Sequence, residues 1–127
     1  MNNILISYKG VVLRQKDLDT LGDGCWVNDN IINFFVNWND KRENVGMIEP
    51  AAILLMSSED DETIKDMMCE LKMETKDYLV LPMNDIQGRL GSGSHWSLLV
   101  YCKAENKFVY YDSASPSGNM LINLDKV

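Results

Sequence analysis

The sequence predicts an α+β domain in which helices come first and a β-sheet follows. Apolar residues three and four positions apart, the helical period, predict helices within residues 28–71. Three runs rich in Val, Leu, Tyr and Phe then predict strands of a central sheet at 78–84, 95–102 and 107–113. The chain has 46% hydrophobic and 24% charged residues, a balance typical of a folded unit, so we treat residues 1–127 as one domain.

The N-terminal part begins with two short apolar runs, 4–8 and 11–14, which predict edge strands. Asn28 or Asp29 then caps the first long helix. The apolar residues that define one face of this helix follow the helical period: Ile31, Phe34, Phe35 and Trp38. Because further apolar residues widen this face, we expect the helix to be mostly buried.

Two shorter helices are predicted next. Pro50 suits the first turn of a helix over 51–56, where its missing N–H needs no partner. Ser58, followed by the acidic residues 59–62, predicts the start of a third helix. The apolar residues of that helix share one face: Ile64, Met67, Met68 and Leu71. We interpret the methionines as packing residues.

Charge and cysteine content argue against several classes of function. A net charge of −7 argues against a nucleic-acid partner, which requires clustered Lys and Arg, and favours a partner with a basic face or tail. The scattered Cys25, Cys69 and Cys102 provide neither a disulfide framework nor a CxxC metal site. We see no leader and no membrane-spanning run. We therefore expect a cytoplasmic or nuclear monomer that uses no cofactor or metal and binds no membrane.

His95 is the single histidine of the chain and lies at the start of a predicted strand. If residues 103–106 form a hairpin loop, the register places Ser97 opposite Asp112. His95 and Ser97 share a face, so Asp112 lies diagonal to His95, with Cβ atoms roughly 7 to 8 Å apart or somewhat less. A carboxylate there would fix the imidazole tautomer and stabilise the imidazolium, as a general base requires. On geometry alone, an ordinary polar histidine at a strand end is an equal alternative.

Three ordered motifs resemble those of a known family. Residues 25–35, CWVNDNIINFF, resemble the Trp-Leu-Asn-Asp-x-x-Ile segment of the ubiquitin-like-protein-specific cysteine proteases. GSHWSLLVY resembles their His-Trp-Ser strand, and FVYYDSAS resembles the Asp-Ser segment that follows at the same separation. The N-terminal SYKGVVLRQKDLDTL is similar to the opening segment of the small deneddylases in this family. The resemblance covers nearly the whole chain.

This resemblance implies a papain-like cysteine protease fold of the Ulp type, with N-terminal helices and a central, mostly antiparallel sheet. It implies that His95 is the general base and that Asp112 orients it. It also implies that Trp26 and Trp96 form the walls of a narrow tunnel for the diglycine tail of a modifier, with Asp29 available to a basic tail residue or surface. Only glycine passes between two indole rings, because any Cβ would clash.

Several of these positions have alternative interpretations. Trp26 can also be an apolar plug at the helix entrance. Trp96 points away from His95 by strand parity, so it acts as a lid only if the strand twists or bulges there. Asn84 is interpreted as a contact for the substrate backbone or as a turn residue. The Gly- and Ser-rich segment 85–94 predicts a mobile flap beside the site.

The nucleophile of the family is missing from the sequence. Family members carry it in a Gln-x-x-x-x-Asp-Cys-Gly-type segment downstream of the Asp strand, and the 127 residues contain no such segment. We therefore expect an incomplete domain that is inactive by itself. Cys25 is a weak alternative, because a helix N-terminus favours a thiolate. Cys69 and Cys102 are interpreted as packing residues.

Three functions remain open at this point. The first is a cysteine peptidase, a thiol isopeptidase that cleaves after the C-terminal Gly-Gly of a ubiquitin-like modifier, by deneddylation or deSUMOylation. Its partners would be the cullin modifier or SUMO and their conjugates. The second is a non-catalytic modifier-binding module or inactive pseudo-protease that retains the tunnel. The third is an α+β interaction domain whose motifs have lost their task.

Overall fold

The computed structural model describes residues 3–84 and 95–113 in full and the backbone of residues 119–123. The helices are α1 (Gln15–Leu18), α2 (Asp29–Asn39), α3 (Pro50–Met56) and α4 (Asp61–Glu70). The strands are β1 (Ile4–Tyr8), β2 (Val11–Arg14), β3 (Val45–Met47), β4 (Tyr78–Asn84), β5 (Trp96–Cys102), β6 (Lys107–Tyr111) and β7 (Asn119–Asn123). The predicted α+β class is confirmed.

The strands form two separate sheets. Strands β1 and β2 make a hairpin, and its two-residue turn has positive φ at both Lys9 and Gly10, the geometry that matches the twist of an antiparallel pair. The second sheet has the order β3-β4-β5-β6-β7 and is antiparallel except for the β3–β4 pair. The sheet is therefore mostly antiparallel, as the resemblance implied, with β5 in the middle.

The sequence analysis missed two strands of this sheet. β3 has three residues, one of them Gly46, and pairs with β4 from a distance of more than thirty residues along the chain. So short a run carries no alternation of its own, and its partner lies far away in sequence. β7 is likewise a short segment that pairs with the edge of β6.

Helices cover one face of the five-stranded sheet closely. Ile48, Met73 and Leu79 form the buried cluster there. The partly buried residues packed against it come from α3, α4 and the sheet: Ala52, Ile53, Met68, Leu81 and Tyr101. The prediction that the Met-rich helix packs is therefore correct for Met68.

The other sheet face is covered by α2, which is less buried than predicted. Only Val36 of this helix is fully buried, whereas Phe35 is 62% exposed and Trp38 is 48% exposed. The expectation of a mostly buried helix is wrong, because the face of α2 that carries Ile32, Phe35 and Val36 lines a cavity. Between α2 and the sheet lies an apolar cavity of about 740 Å³.

The helix caps decide between Asn28 and Asp29 for α2 and correct the predicted start of α4. Asn28 caps α2, since its side-chain oxygen accepts from the Ile31 N–H at 3.1 Å. Asp60 caps α4 by accepting from the Thr63 N–H at 2.8 Å, so the Ser58 prediction is wrong. Ser58 instead donates its hydroxyl to the Leu55 carbonyl at 3.0 Å and completes the end of α3.

A buried carboxylate holds the start of α2 against the N-terminal hairpin. Asp17 is 1% exposed and accepts from the Arg14 N–H at 2.8 Å, from the Asn28 amide at 2.8 Å and from the Asn30 amide at 3.3 Å. Burial raises the pKa of Asp17, but these hydrogen bonds and the charge of Lys16 outweigh it, so the pKa lies below its ordinary value. Asp17 thereby fixes the loop that precedes α2.

We expect Asp17→Asn to lower the free energy of unfolding by about 2 to 3 kcal/mol at neutral pH, because an amide keeps one acceptor oxygen and turns its NH2 group toward at least one of the three existing donors. A carboxylate with a depressed pKa in the folded state stabilises at pH values above its unfolded pKa. This contribution is lost as pH falls through the folded value, so the difference from wild type should shrink below about pH 4. Urea denaturation at several pH values measures both effects.

The control for this experiment is Asp19→Asn. Asp19 is exposed, and its carboxylate accepts from the Gln15 side chain at 2.8 Å. Its replacement should change stability by less than about 0.5 kcal/mol. Equal losses in the two variants would contradict the anchoring role of Asp17.

Candidate active site

The hairpin of β5 and β6 brings His95 and Asp112 together. His95 directly precedes β5 and Asp112 directly follows β6. The register pairs Cys102 with Lys107 and Leu98 with Tyr111, as the four-residue loop predicted. One further step along this ladder sets Asp112 across from Ser97, which shares a face with His95. The predicted contact is found, with 2.6 Å between His95 Nε2 and Asp112 Oδ1.

The chemistry of this contact fixes the tautomer of the neutral imidazole. An ionised carboxylate can only accept, so Nε2 carries the proton and donates it to Asp112, and Nδ1 carries the basic lone pair. The Asp112 side chain is 17% exposed and that of His95 is 36% exposed. A shielded carboxylate beside a more accessible imidazole stabilises the imidazolium that forms when Nδ1 takes a proton. This arrangement suits a general base.

Trp96 is anchored on the opposite face of β5. Its indole Nε1–H donates to the Val27 carbonyl at 2.7 Å, which joins the start of β5 to the segment before α2. The β4–β5 register runs without a shift from Tyr78–Cys102 to Asn84–Trp96, so no bulge turns Trp96 toward His95. Trp96 instead lines the apolar cavity with Leu98 and Tyr111. Strand parity therefore holds at this position.

Trp26 and Asp29 lie before and after Val27 in the same segment of the chain. Trp26 is 72% exposed, so its interpretation as an apolar plug is wrong. It directly precedes Val27, the residue to which Trp96 is bonded. Asp29 is the first residue of α2 and is half-buried. Asn84 is half-buried at the end of β4 and pairs with Trp96 in the ladder, so it is a strand residue and the turn alternative is wrong.

None of the three cysteines is positioned as a nucleophile by the features that the sequence suggested. Cys25 is exposed and lies three residues before the cap of α2, outside the first turn, where the helix dipole acts. Cys102 is on the face of β5 opposite His95. Cys69 is exposed, so the prediction that it packs is wrong; a hydrogen bond to Glu74 and the charge of that group raise its thiol pKa.

Sequence reasoning missed Tyr110. Its hydroxyl lies 2.8 Å from Ser97 Oγ and 3.2 Å from Asp112 Oδ2. The signal was available, because Tyr110 is two residues before Asp112 and shares its face.

The predicted flap, 85–94, lies outside the described residues.

Within the described ranges, no helix is both long and apolar enough to cross a membrane. In the same part of the chain, no group of three His, Cys, Asp or Glu residues is arranged to hold a metal ion.

A helix-flanked, mostly antiparallel sheet with a His–Asp pair at the open end of a hairpin has the form of a papain-like cysteine protease fold. Residues 25–123 match a family model described as the Ulp1 protease family, C-terminal catalytic domain. The chain belongs to this family, and the resemblance of its motifs is confirmed.

Individual relatives agree with this assignment. The chain is 39% identical over 116 residues to NEDD8-specific protease 1 of Arabidopsis thaliana, covering 86% of this chain and 51% of the relative. It is 33% identical over 127 residues to human sentrin-specific protease 8, covering 94% of this chain and 60% of the relative. The chain thus spans a little more than half the length of these relatives.

A solved structure supports the fold. The C-terminal Ulp1 protease domain in complex with Smt3, the yeast ortholog of SUMO, superposes with a TM-score of 0.74 at 23% identity. The match covers 91% of this chain and 51% of that one.

We expect Trp96→Phe to loosen the segment around Val27, because the variant keeps an aromatic ring and loses the indole donor. Amide hydrogen exchange at residues 26–28 should accelerate about tenfold, with a loss of stability near 1 kcal/mol. Exchange measured by NMR or mass spectrometry tests this.

Trp38→Phe is the matched control for this prediction. Trp38 is at the far end of α2, and its ring stacks on Phe34. The same indole-to-phenyl change there should leave exchange at residues 26–28 unaltered. Acceleration by both variants would show that the Val27 bond does not hold the segment.

Proposed function

We propose that this chain supplies the general base and its orienting acid to a cysteine-type peptidase that cleaves after the C-terminal Gly-Gly of a ubiquitin-like modifier. The observation that carries the proposal is the 2.6 Å contact between His95 and Asp112 in a member of the Ulp1 protease family. The names of the relatives, which specify NEDD8 and sentrin, support deneddylation or deSUMOylation.

The proposed mechanism gives the two nitrogens of His95 different tasks. Nδ1 takes the proton of a cysteine thiol, while Nε2–H stays bonded to Asp112 and the carboxylate stabilises the imidazolium. The thiolate attacks the carbonyl carbon of the terminal glycine, and the imidazolium returns its proton to the leaving amine. A water deprotonated by His95 then hydrolyses the thioester and releases the modifier and the thiol.

The nucleophile in this proposal comes from an Asp-Cys-Gly-type segment of the family. Such a segment is absent from the 127 residues. The exposed Cys25, outside the first turn of α2, is kept only as the weaker alternative.

The proposed tail site lies where the two tryptophan segments meet. The bond from Trp96 to the Val27 carbonyl fixes the β5 end, and the exposed Trp26 adjoins it with an apolar surface that a tail can cover. Between two indoles a glycine tail is accepted and a side chain is excluded. Asp29, in the first turn of α2, is proposed to meet a basic residue of the modifier.

The partner in this proposal is therefore a ubiquitin-like modifier such as NEDD8 or SUMO. The formal charge of −7 favours a basic modifier surface over nucleic acid. We also propose that the chain acts as a monomer in the cytoplasm or nucleus.

A non-catalytic modifier-binding module is the second candidate. The observation that favours it is that the proposed base, its acid and the two tryptophans are present without a positioned nucleophile. No described cysteine is placed to attack. Binding and cleavage are therefore tested separately.

For binding, we expect the chain to bind a modifier with a mature Gly-Gly tail at least about tenfold more tightly than the same modifier with alanine at the penultimate position. Isothermal titration calorimetry with NEDD8, SUMO and ubiquitin measures this. Trp26→Ala should weaken binding, whereas Trp38→Ala, which removes an exposed indole at the other end of α2, should not. Failure to bind any of the three would exclude a modifier partner for the chain alone.

For cleavage, the product of the complete transcript is incubated with modifier vinyl-sulfone probes and with modifier conjugates. We expect His95→Ala to abolish turnover, because the thiol loses its base. Asp112→Asn should lower kcat on the order of 10²- to 10⁴-fold with little change in KM, because the tautomer support is lost while the tail site remains. Unchanged turnover in His95→Ala would refute the base assignment, and equal damage to kcat and to thermal stability would show a folding defect instead.

A further inference from the structure

A third residue contacts the His95–Asp112 pair from the side. The Tyr110 hydroxyl lies 3.2 Å from Asp112 Oδ2, while Asp112 Oδ1 faces His95 Nε2 at 2.6 Å. The two carboxylate oxygens therefore have different partners. The Tyr110 hydroxyl also lies 2.8 Å from Ser97 Oγ. Together the four side chains form a continuous path of hydrogen bonds.

Counting protons sets the direction of this path. Ionised Asp112 has no proton, so a hydrogen bond between it and Tyr110 must be donated by the phenol. The phenol has one proton, and its contact with Ser97 is then donated by the serine hydroxyl. In the reverse arrangement the phenol would donate to Ser97 and turn an oxygen lone pair toward a carboxylate, which is unfavourable in a shielded site. The path therefore runs from Ser97 to Tyr110 to Asp112.

The fold places Tyr110 there by strand alternation. Tyr110 pairs with Leu99 and is two residues before Asp112, so both project from the same sheet face. Ser97 is diagonal to Tyr110 on the neighbouring strand, within reach of a long side chain. Tyr111 projects to the opposite face and lines the apolar cavity.

We propose that Tyr110 is a positioning residue for the His95–Asp112 pair. Rotation of a carboxylate about its last side-chain bond is broad, so one hydrogen bond leaves it weakly fixed. A donor on Oδ2 restrains that rotation and holds Oδ1 in line with the imidazole N–H. The Tyr110 hydroxyl contacts Ser97 and Asp112, so its proposed effect on His95 is exerted through Asp112. Its catalytic meaning rests on the proposed function, whereas the hydrogen bonds themselves are measurable without any substrate.

The test uses the 127-residue chain and its single histidine, whose ring N–H gives an unambiguous NMR signal in histidine-labelled protein. In wild type, the Nε2–H proton should be observable and protected from exchange with water by its bond to Asp112. Tyr110→Phe removes only the hydroxyl, and the exchange of this proton should accelerate about tenfold. Tyr111→Phe makes the same chemical change one residue away on the other face and should leave the exchange within about twofold of wild type.

Ser97→Ala separates the two bonds of the phenol. If Tyr110 acts on Asp112 directly, this variant should change Nε2–H exchange less than Tyr110→Phe does. Exchange in Tyr110→Phe equal to that in Tyr111→Phe would overturn the proposal. So would an effect of Ser97→Ala larger than that of Tyr110→Phe, because the serine would then be the residue that matters.

A second measurement needs no substitution and stays decisive if Tyr110→Phe fails to fold. In tyrosine-labelled wild-type protein, the Tyr110 hydroxyl proton should exchange with water at least about tenfold more slowly than that of Tyr111. Equal exchange of the two hydroxyl protons would overturn the proposal. Neither experiment involves a thiol or a modifier, so loss of modifier binding and loss of the Tyr110 bond are separate results.

Discussion

The site depends on the register of one hairpin, that of β5 and β6. A shift of one residue would turn Asp112 to the opposite face of the hairpin and leave His95 without the carboxylate that fixes its tautomer. The register is set at the other end, in the loop 103–106. There Asn106 has φ of 50°, its backbone N–H donates to the Lys103 carbonyl at 3.1 Å, and its side chain accepts from the Tyr101 hydroxyl at 2.9 Å. The loop 103–106, at the far end of the hairpin, therefore determines whether His95 meets Asp112.

The proposed tail site depends on a second constraint, at the start of α2. Asp17 holds Asn28 by its side-chain amide, and Asn28 in turn caps the helix. The neighbouring Val27 carbonyl receives the indole of Trp96. Asp17 is thus linked, through the adjacent Asn28 and Val27, to Trp96 at the start of β5. Each of these bonds is either shielded or charge-assisted, which makes it stronger than an exposed neutral contact.

Sequence spacing predicted the parts of the site that depend only on residues close together along the chain. The period of two and the length of the loop were sufficient for the His95–Asp112 contact, and the helical period gave α2. Features that depend on distant neighbours were not predictable in this way. The burial of Phe35 depends on what packs against α2, and β3 exists only because β4 lies beside it. Ser58 and Asp60 both fit a cap by type, and the end of α3 decided between them. The Tyr110 contact needed a side-chain distance that spacing alone does not give.

The alternation of β5 separates two tasks between adjacent residues. His95 belongs to the face that carries Tyr110 and Asp112, whereas Trp96 belongs to the face toward α2. His95 is therefore held within the sheet by Asp112, and the Trp96 indole is held by the segment before the helix. A displacement of the first turn of α2 relative to the sheet would act on the bond from Trp96 to Val27, whereas the His95–Asp112 bond joins two strand ends within the sheet. The proposed tail site and the proposed base are thus held by different hydrogen bonds, although one peptide bond joins His95 to Trp96.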